Sequence, residues 1–261
     1  MIRRPPRSTQ SRSSAASDVY KRQVEEIGVD EELPVLRKNR WSTGIKELDI
    51  ILEGGYRNPG NILLIGPSGM EKFAFSYHFA DASSPDDNVY FICGGSSPEE
   101  IIKRATTVGI DLKKPNIKFI DCYSTTLGNQ KEIQPTEQIK IVPGPRALND
   151  LSLALNEAIS ESKGKKIRFI FYTLSTFVLY NPQESIRKFM DVIEGRLKAT
   201  GATTLYLVDE GVHDKQLMGI LEHGMDEKYT IVEREKTMYL QLPIINFEVP
   251  FKLGPSGIII L

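Results

Sequence analysis

From Trp41 onward, short apolar runs alternate with longer amphipathic stretches. The runs are NILLI (61–65), VYFIC (89–93), IKFID (117–121), IRFIF (167–171) and TTLYLV (203–208). Uniformly apolar runs of this length suit strands covered on both faces, as in a parallel sheet. The stretches between them predict helices. One spans 70–80, with Phe73, Tyr77 and Ala80 at helical spacing. A second opens at Ser97, where a capping serine, Pro98 at the first helical position and Glu100 three residues on form a start signal. Ala147–Ser162 carries Leu148, Leu151, Leu155 and Ile159 on one face. Gln183–Ala199 and 214–223 predict two more. Residues 122–146, with Pro135, Pro143 and Pro145, read as a long mobile connection. The tail alternates in strand fashion over Tyr229–Val232, Thr237–Leu242, Ile245–Phe251 and Gly257–Leu261.

This order predicts an α/β fold: a mostly parallel central sheet with helices on both faces and an antiparallel C-terminal extension. Ligands of such sheets bind at the carboxyl ends of the strands. The division expected is a tail at 1–23, a charged lead-in at 24–40 and a single domain at 41–261. The first 23 residues are rich in Arg, Ser and Pro and lack apolar periodicity. Physically they read as a disordered basic tail, either a nucleic-acid arm or a transit peptide. They more closely resemble a translated sequencing adapter joined to a fragmentary gene, and are set aside on that ground. Without their six Lys/Arg and one acid, the formal charge moves from −1 to −6. A mildly acidic body argues against broad binding to a phosphate backbone, so nucleic acid is not the expected partner.

Apolar content of 40% and charged content of 26% are ordinary for a globular chain. Two cysteines without CxxC spacing and three scattered histidines argue against a disulfide framework or a metal site, and fit a reducing cytoplasm. No apolar run is long enough to span a bilayer, so no membrane association is expected. Cys93 reads as a buried core thiol, KGKKIR (163–168) as a solvated loop, and His213 and His223 as surface or capping residues.

The turn after Ile65 carries the candidate chemistry: Gly66, Pro67, Ser68, Gly69, Met70, Glu71, Lys72 and Phe73. A phosphate loop reads G-x-x-x-x-G-K-[ST] between a strand and a helix. Gly66 and Lys72 fit. Glu71 stands where the second glycine would be, and Phe73 where a hydroxyl residue would ligate Mg²⁺. A side chain at 71 restricts the approach of backbone amides to phosphate, and its carboxylate adds repulsion. Lys72 still holding an anion is one expectation; a lysine that is solvated, or paired with Glu71 turned onto it as an internal anion, is the other.

The residues around this loop add a resemblance. STGIKELDIILEGGYRNPGNILLIGPSG, Ser42 to Gly69, resembles the start of KaiC-like and RecA-like ATPases. Ser42, Thr43, Gly44, Leu48, Asp49, Leu52, Gly54, Gly55 and Gly60 all fall in place. The segments 89–112, 207–233 and 247–260 resemble later blocks of the same family in order. The resemblance implies a RecA-like P-loop fold over 41–261, and sites shared between subunits. It also implies a pair of glutamates after the second strand, where Gly95 and Ser96 stand, and an acid ending the fourth, where Tyr172 stands. Asp49, Asp121, Asp209 and Glu210 are other acids that could serve; Asp209 and Glu210 read as loop caps or solvated side chains. With no catalytic or metal-binding residue assigned, the expected function is an inactive ATPase homologue acting in regulation or assembly. Self-association or a protein partner is expected, and ATP, if bound, is not hydrolysed. An ATP binder with weak activity and a DNA-recombination accessory are the alternatives.

Overall fold

The computed structural model describes residues 39–127 and 134–261. The tail at 1–23, most of the lead-in and 128–133 lie outside the described residues. A two-stranded antiparallel ribbon, β1 (Arg40–Trp41) with β2 (Tyr56–Arg57), encloses α1 (Lys46–Ile51). Then come β3 (Gly60–Gly66), α2 (Met70–Asp81), β4 (Asn88–Cys93), α3 (Pro98–Thr107), β5 (Ile117–Asp121) and β6 (Ile139–Ile141). They are succeeded by α4 (Leu148–Glu161), β7 (Ile167–Phe171), α5 (Leu174–Tyr180), α6 (Gln183–Ala199), β8 (Thr203–Asp209) and α7 (Lys215–His223). The chain ends with β9 (Glu227–Arg234), β10 (Thr237–Leu242), β11 (Phe247–Gly254) and β12 (Gly257–Ile260).

The main sheet runs β12-β11-β10-β9-β3-β8-β7-β4-β5-β6. Every pairing from β9 across to β6 is parallel, and β9 through β12 pair antiparallel. Successive side chains of a strand point to opposite faces. In β3, Ile62 and Leu64 therefore join the core that includes Phe75, Tyr77 and Phe79 of α2, whereas Leu63 and Ile65 join the one that includes Leu155, Ile193 and Leu197 of α4 and α6. Both faces are covered, which is why the strands read as unbroken apolar runs. Each buried Phe or Leu contributes roughly 1.5–3 kcal/mol relative to exposure.

The start of α3 matches its sequence signal: Ser97 accepts from the Glu100 amide at 3.2 Å, with Pro98 directly after the cap. Two segments differ from expectation. Residues 122–146 are not all connection, because Ile139–Ile141 adds an edge strand to β5 and Ser124–Leu127 forms a 3-10 turn. The strand expected from Ile245 begins at Phe247, after a 3-10 turn at Pro243–Ile245 that ends with Asn246 at φ 48.

Two expectations about charged residues also change. Asp49 does not face the loop. Its carboxylate holds the Ser42-Thr43-Gly44 turn, accepting from Ser42 Oγ at 2.5 Å, Thr43 N at 2.7 Å and Thr43 Oγ1 at 2.6 Å. Gly44 has φ 84, and a Cβ there would stand 2.1 Å from the His78 carbonyl oxygen, so only glycine fits. Arg168 of the KGKKIR run is buried rather than solvated. It donates to the carbonyls of Ser42 and Phe79 at 3.0 Å and lies 4.6 Å from the Phe79 ring.

Half-buried His78 and buried Glu194 give the fold opposite pH limits. His78 on α2 accepts the Ile258 amide of β12 at Nε2, at 2.9 Å, so it must be neutral there. Burial holds its pKa below the usual 6.5, against Asp81 and a bond to Gly44. A depressed histidine contributes stability that is present above its unfolded pKa and lost as pH falls through the folded one. The acid loss below about pH 6.5 should be shallower in His78→Ala, measured by thermal unfolding against pH. Glu194 on α6 is buried, with Oε1 unpartnered. Burial, then Asp191 and Asp226, push its carboxyl up to about 8. Stability from a raised carboxyl is present below its unfolded pKa and lost as pH rises through the folded one. Glu194→Gln should abolish the decline between about pH 5 and 8; an unchanged pH profile would show that Glu194 is ionised throughout.

Candidate functional site

The carboxyl ends of β3, β8, β7 and β4 meet at one edge of the sheet, and the glycine-rich turn sits on it. Gly66 ends β3 and stands opposite Asp209 in the parallel register with β8. The Glu210 amide donates to the Gly66 carbonyl at 2.9 Å, clamping the two strand ends together. The Gly69 amide donates to the Pro67 carbonyl at 2.8 Å and tightens the turn before α2 starts at Met70. Met70 packs on the core. Glu71, in the first turn of α2, folds back so far that a Cβ on Gly69 would come within 2.4 Å of its Oε2. Its carboxylate thus lies at the positive end of the helix, where an acid is favoured.

Lys72 turns inward and is only 2% exposed. Its ammonium donates to the carbonyls of Gly66 at 3.4 Å and Val208 at 3.2 Å, and to the carboxylate of Asp209. An ammonium has three donors, and here each has an acceptor within the chain. The partner of Lys72 is therefore Asp209, not Glu71, and the lysine is not solvated. Asp209 is correspondingly neither a loop cap nor a solvated side chain. Ser68 Oγ also donates to Asp209 Oδ1, at 2.9 Å. Burial alone would raise the Asp209 carboxyl, but the bonds from Lys72 and Ser68 outweigh it and hold its pKa below the usual carboxylate value. Burial lowers the Lys72 pKa, and Asp209 opposes that shift.

Ser175, at the start of α5, extends the cluster. Its Oγ accepts the Asp209 amide at 2.8 Å and lies 2.8 Å from His213 Nε2. His213 is half-buried against this serine rather than purely superficial, and burial lowers its pKa. Glu210 places its backbone, not its carboxylate, in the site. Asp121 is elsewhere, accepting from the amides of Tyr123 and Ser124 at 2.9 and 3.0 Å.

The other half of the site is aromatic. Phe73 stacks on Tyr172 with centroids 4.4 Å apart and planes at 18°. The Tyr172 hydroxyl lies 2.5 Å from that of Tyr77, one helical turn beyond Phe73. Burial pushes the Tyr172 phenol up to about 12. Arg104 lies 6.0 Å from the Phe73 ring centroid, held by Ser96 Oγ at 3.2 Å and Glu100 at 2.5 Å. The turn after β4 is crowded as well. A Cβ on Gly94 would stand 2.6 Å from the Phe177 ring, and one on Gly95 2.9 Å from Thr176 Oγ1. Short helix α5 supplies both neighbours and Ser175, and the strand-by-strand reading did not anticipate it. Its trace in the sequence is Leu174, Phe177 and Val178 at helical spacing, all buried.

A strand–turn–helix at the end of a central parallel strand, with a lysine at the head of the helix, is a P-loop frame. The model of a family described as "ATPase: KaiC" matches residues 41–237. The chain belongs to the KaiC ATPase family. Among curated proteins it is similar to the circadian clock oscillator protein KaiC of Prochlorococcus marinus, 27% identical over 84% of this chain and 44% of that protein. It is also similar to a UPF0273 protein of Thermotoga maritima, 22% identical over 85% of this chain and 95% of the relative. The chain spans under half the length of KaiC but nearly all of the Thermotoga relative. Among solved structures it resembles a KaiC-like protein of Pyrococcus horikoshii, with TM-score 0.66 and 17% identity, covering 85% of this chain and 98% of that one. That likeness establishes a RecA-like fold. Among the described residues, no helix is long and apolar enough to cross a membrane.

The stacked pair predicts a graded cost. Tyr172→Phe removes one hydroxyl and leaves that of Tyr77 buried without its partner, which should cost about 1–3 kcal/mol. Tyr172→Ala also leaves a cavity and should cost about 3–5 kcal/mol. Urea denaturation of both variants tests the order; equal, negligible losses would mean that the pair carries no packing.

Proposed function

We propose that this KaiC-family domain does not hydrolyse ATP and acts in regulation or protein assembly, by self-association or with a protein partner, in the cytoplasm. The observation that carries this reading is the Phe73–Tyr172 stack at the head of α2. Phosphoryl transfer needs a held cation and a positioned nucleophile. A hydroxyl at the head of the helix and an acid at the end of β7, the strand beyond β8, would supply oxygens to that cation. Here both places carry rings packed face to face. With rings in both places, these two positions do not fit a magnesium-bound triphosphate.

Crowding at the β4 turn supports the same reading. A glutamate at Gly95 would have to displace Thr176, so one substitution does not re-create a water-orienting acid. The family relation and the P-loop frame remain, and they suit a domain retained for its surfaces rather than its chemistry. Both cysteines are buried free thiols, which suits a reducing compartment.

The test is phosphate release by the purified chain with Mg²⁺ and ATP, alongside thermal unfolding. No release and no ATP-dependent rise in melting temperature are expected. A rise of several degrees without turnover would favour an ATP-binding role instead. Turnover that disappears in Lys72→Ala would sink the proposal. Glu71→Gly combined with Phe73→Thr, which rewrites only the loop, should leave the chain inactive.

A further inference from the structure

Asp209 receives the two side-chain donors that the turn offers to an anion, the Lys72 ammonium and the Ser68 hydroxyl. We propose that the turn is an oxyanion site occupied by this chain's own Asp209 carboxylate, and that a metal-free phosphate or pyrophosphate enters only when that carboxylate leaves. The inference rests on the non-catalytic reading of the loop and adds what controls entry to it.

Three observations point the same way. First, Lys72 has no donor to spare while Gly66, Val208 and Asp209 hold it. An incoming oxyanion must take a donor from one of them, and the carboxylate is the one on a movable side chain. Second, a carboxylate and a phosphate repel each other at this separation, so the two exclude one another rather than share the lysine. Third, Asp209 is tied to the turn on its C-terminal side. Its own amide is held by Ser175 Oγ, the same oxygen touches His213, and Glu210 and Val212 between them are exposed. Asp214 then caps α7 by accepting the Leu217 amide at 2.8 Å. Ser175 also helps to hold the Asp209 carboxyl below its usual pKa, so displacing the carboxylate disturbs the serine that ties down the exposed turn at 210–214. Anion entry and the position of that turn are coupled, and by reciprocity a protein that grips the turn alters the affinity for the anion. The donors present, an ammonium and a hydroxyl, set the ligand class: a small oxyanion.

The experiment is calorimetric titration of orthophosphate and pyrophosphate, in metal-free buffer, into wild type, Asp209→Asn, Asp209→Ser and the Asp209→Asn/Lys72→Gln double variant. Both neutral variants should bind pyrophosphate about tenfold or more tighter than wild type, with the gain absent in the double variant. Wild-type binding as tight as that of the neutral variants would overturn the proposal, as would a gain that survives loss of Lys72. Cooperative melting of either neutral variant with no gain in affinity would also overturn it. Wild type saturated with pyrophosphate should show faster amide exchange at 210–214; unchanged exchange at saturation would refute the coupling. ATP turnover by wild type would end the non-catalytic reading, whereas a failed pyrophosphate gain ends only this one.

Discussion

A lysine ammonium cannot sit inside a protein without acceptors, because moving an unpaired charge out of water costs far more than a domain's net stability. The site is organised around that constraint. Lys72, 2% exposed, draws together the carbonyl end of β3, the carbonyl end of β8 and the Asp209 side chain. These groups come from parallel neighbours in register, so the ion pair and the sheet reinforce each other. Breaking one member of such a pair typically costs about 3–5 kcal/mol, because the other is left buried and charged. The turn above it is closed by the same bonds: Ser68 reaches over to Asp209, and the Glu210 amide holds Gly66.

The ring stack completes this closure from the other side. Phe73 is next to Lys72 in the chain, and its centroid lies 5.5 Å from the ammonium, so the charged and aromatic halves share a wall. Tyr172 ties β7 to α2 through Phe73 and Tyr77. Thr176 and Phe177 of α5 fill the space beside Gly94 and Gly95. Side chains in contact do not make independent contributions. Phe73, Tyr172 and the crowded turn at Gly94 and Gly95 are thus one packed unit, and changing a single position leaves its neighbours in place.

Much of the fold was legible because the physics is local. Uninterrupted apolar runs mark strands covered on both faces, and Ser97-Pro98 with Glu100 marks a helix start by hydrogen bonding within four residues. The resemblance from Ser42 to Gly69 located the turn. What escaped the sequence depends on contacts between distant segments. Ile139–Ile141 is only three residues between prolines, and becomes a strand because β5 offers an edge. Helix α5 has seven residues, too few for a period to stand out. Asp209 reads as a loop cap or a solvated side chain because nothing in the linear string says that β8 lies beside β3. Glu71, next to Lys72 in sequence, was the natural candidate for its partner, yet consecutive residues of a helix do not face each other. Asp49 and Arg168 were misread for the same reason: their partners are backbone groups gathered by the tertiary fold.

A lysine at the head of a P-loop helix is usually taken as a sign of phosphate binding, but in this chain the residue has a second reason to be there. Once the side chain is buried, its removal exposes a cost unrelated to any ligand: Asp209 loses its counter-charge, and two strand-end carbonyls lose a donor. Folding alone is sufficient reason for the residue to be there. The presence of Lys72 therefore cannot distinguish a site that uses phosphate from one that has enclosed its own anion. What separates the two is where the carboxylate rests, and that depends on the pairing of β3 with β8, not on the loop's own letters.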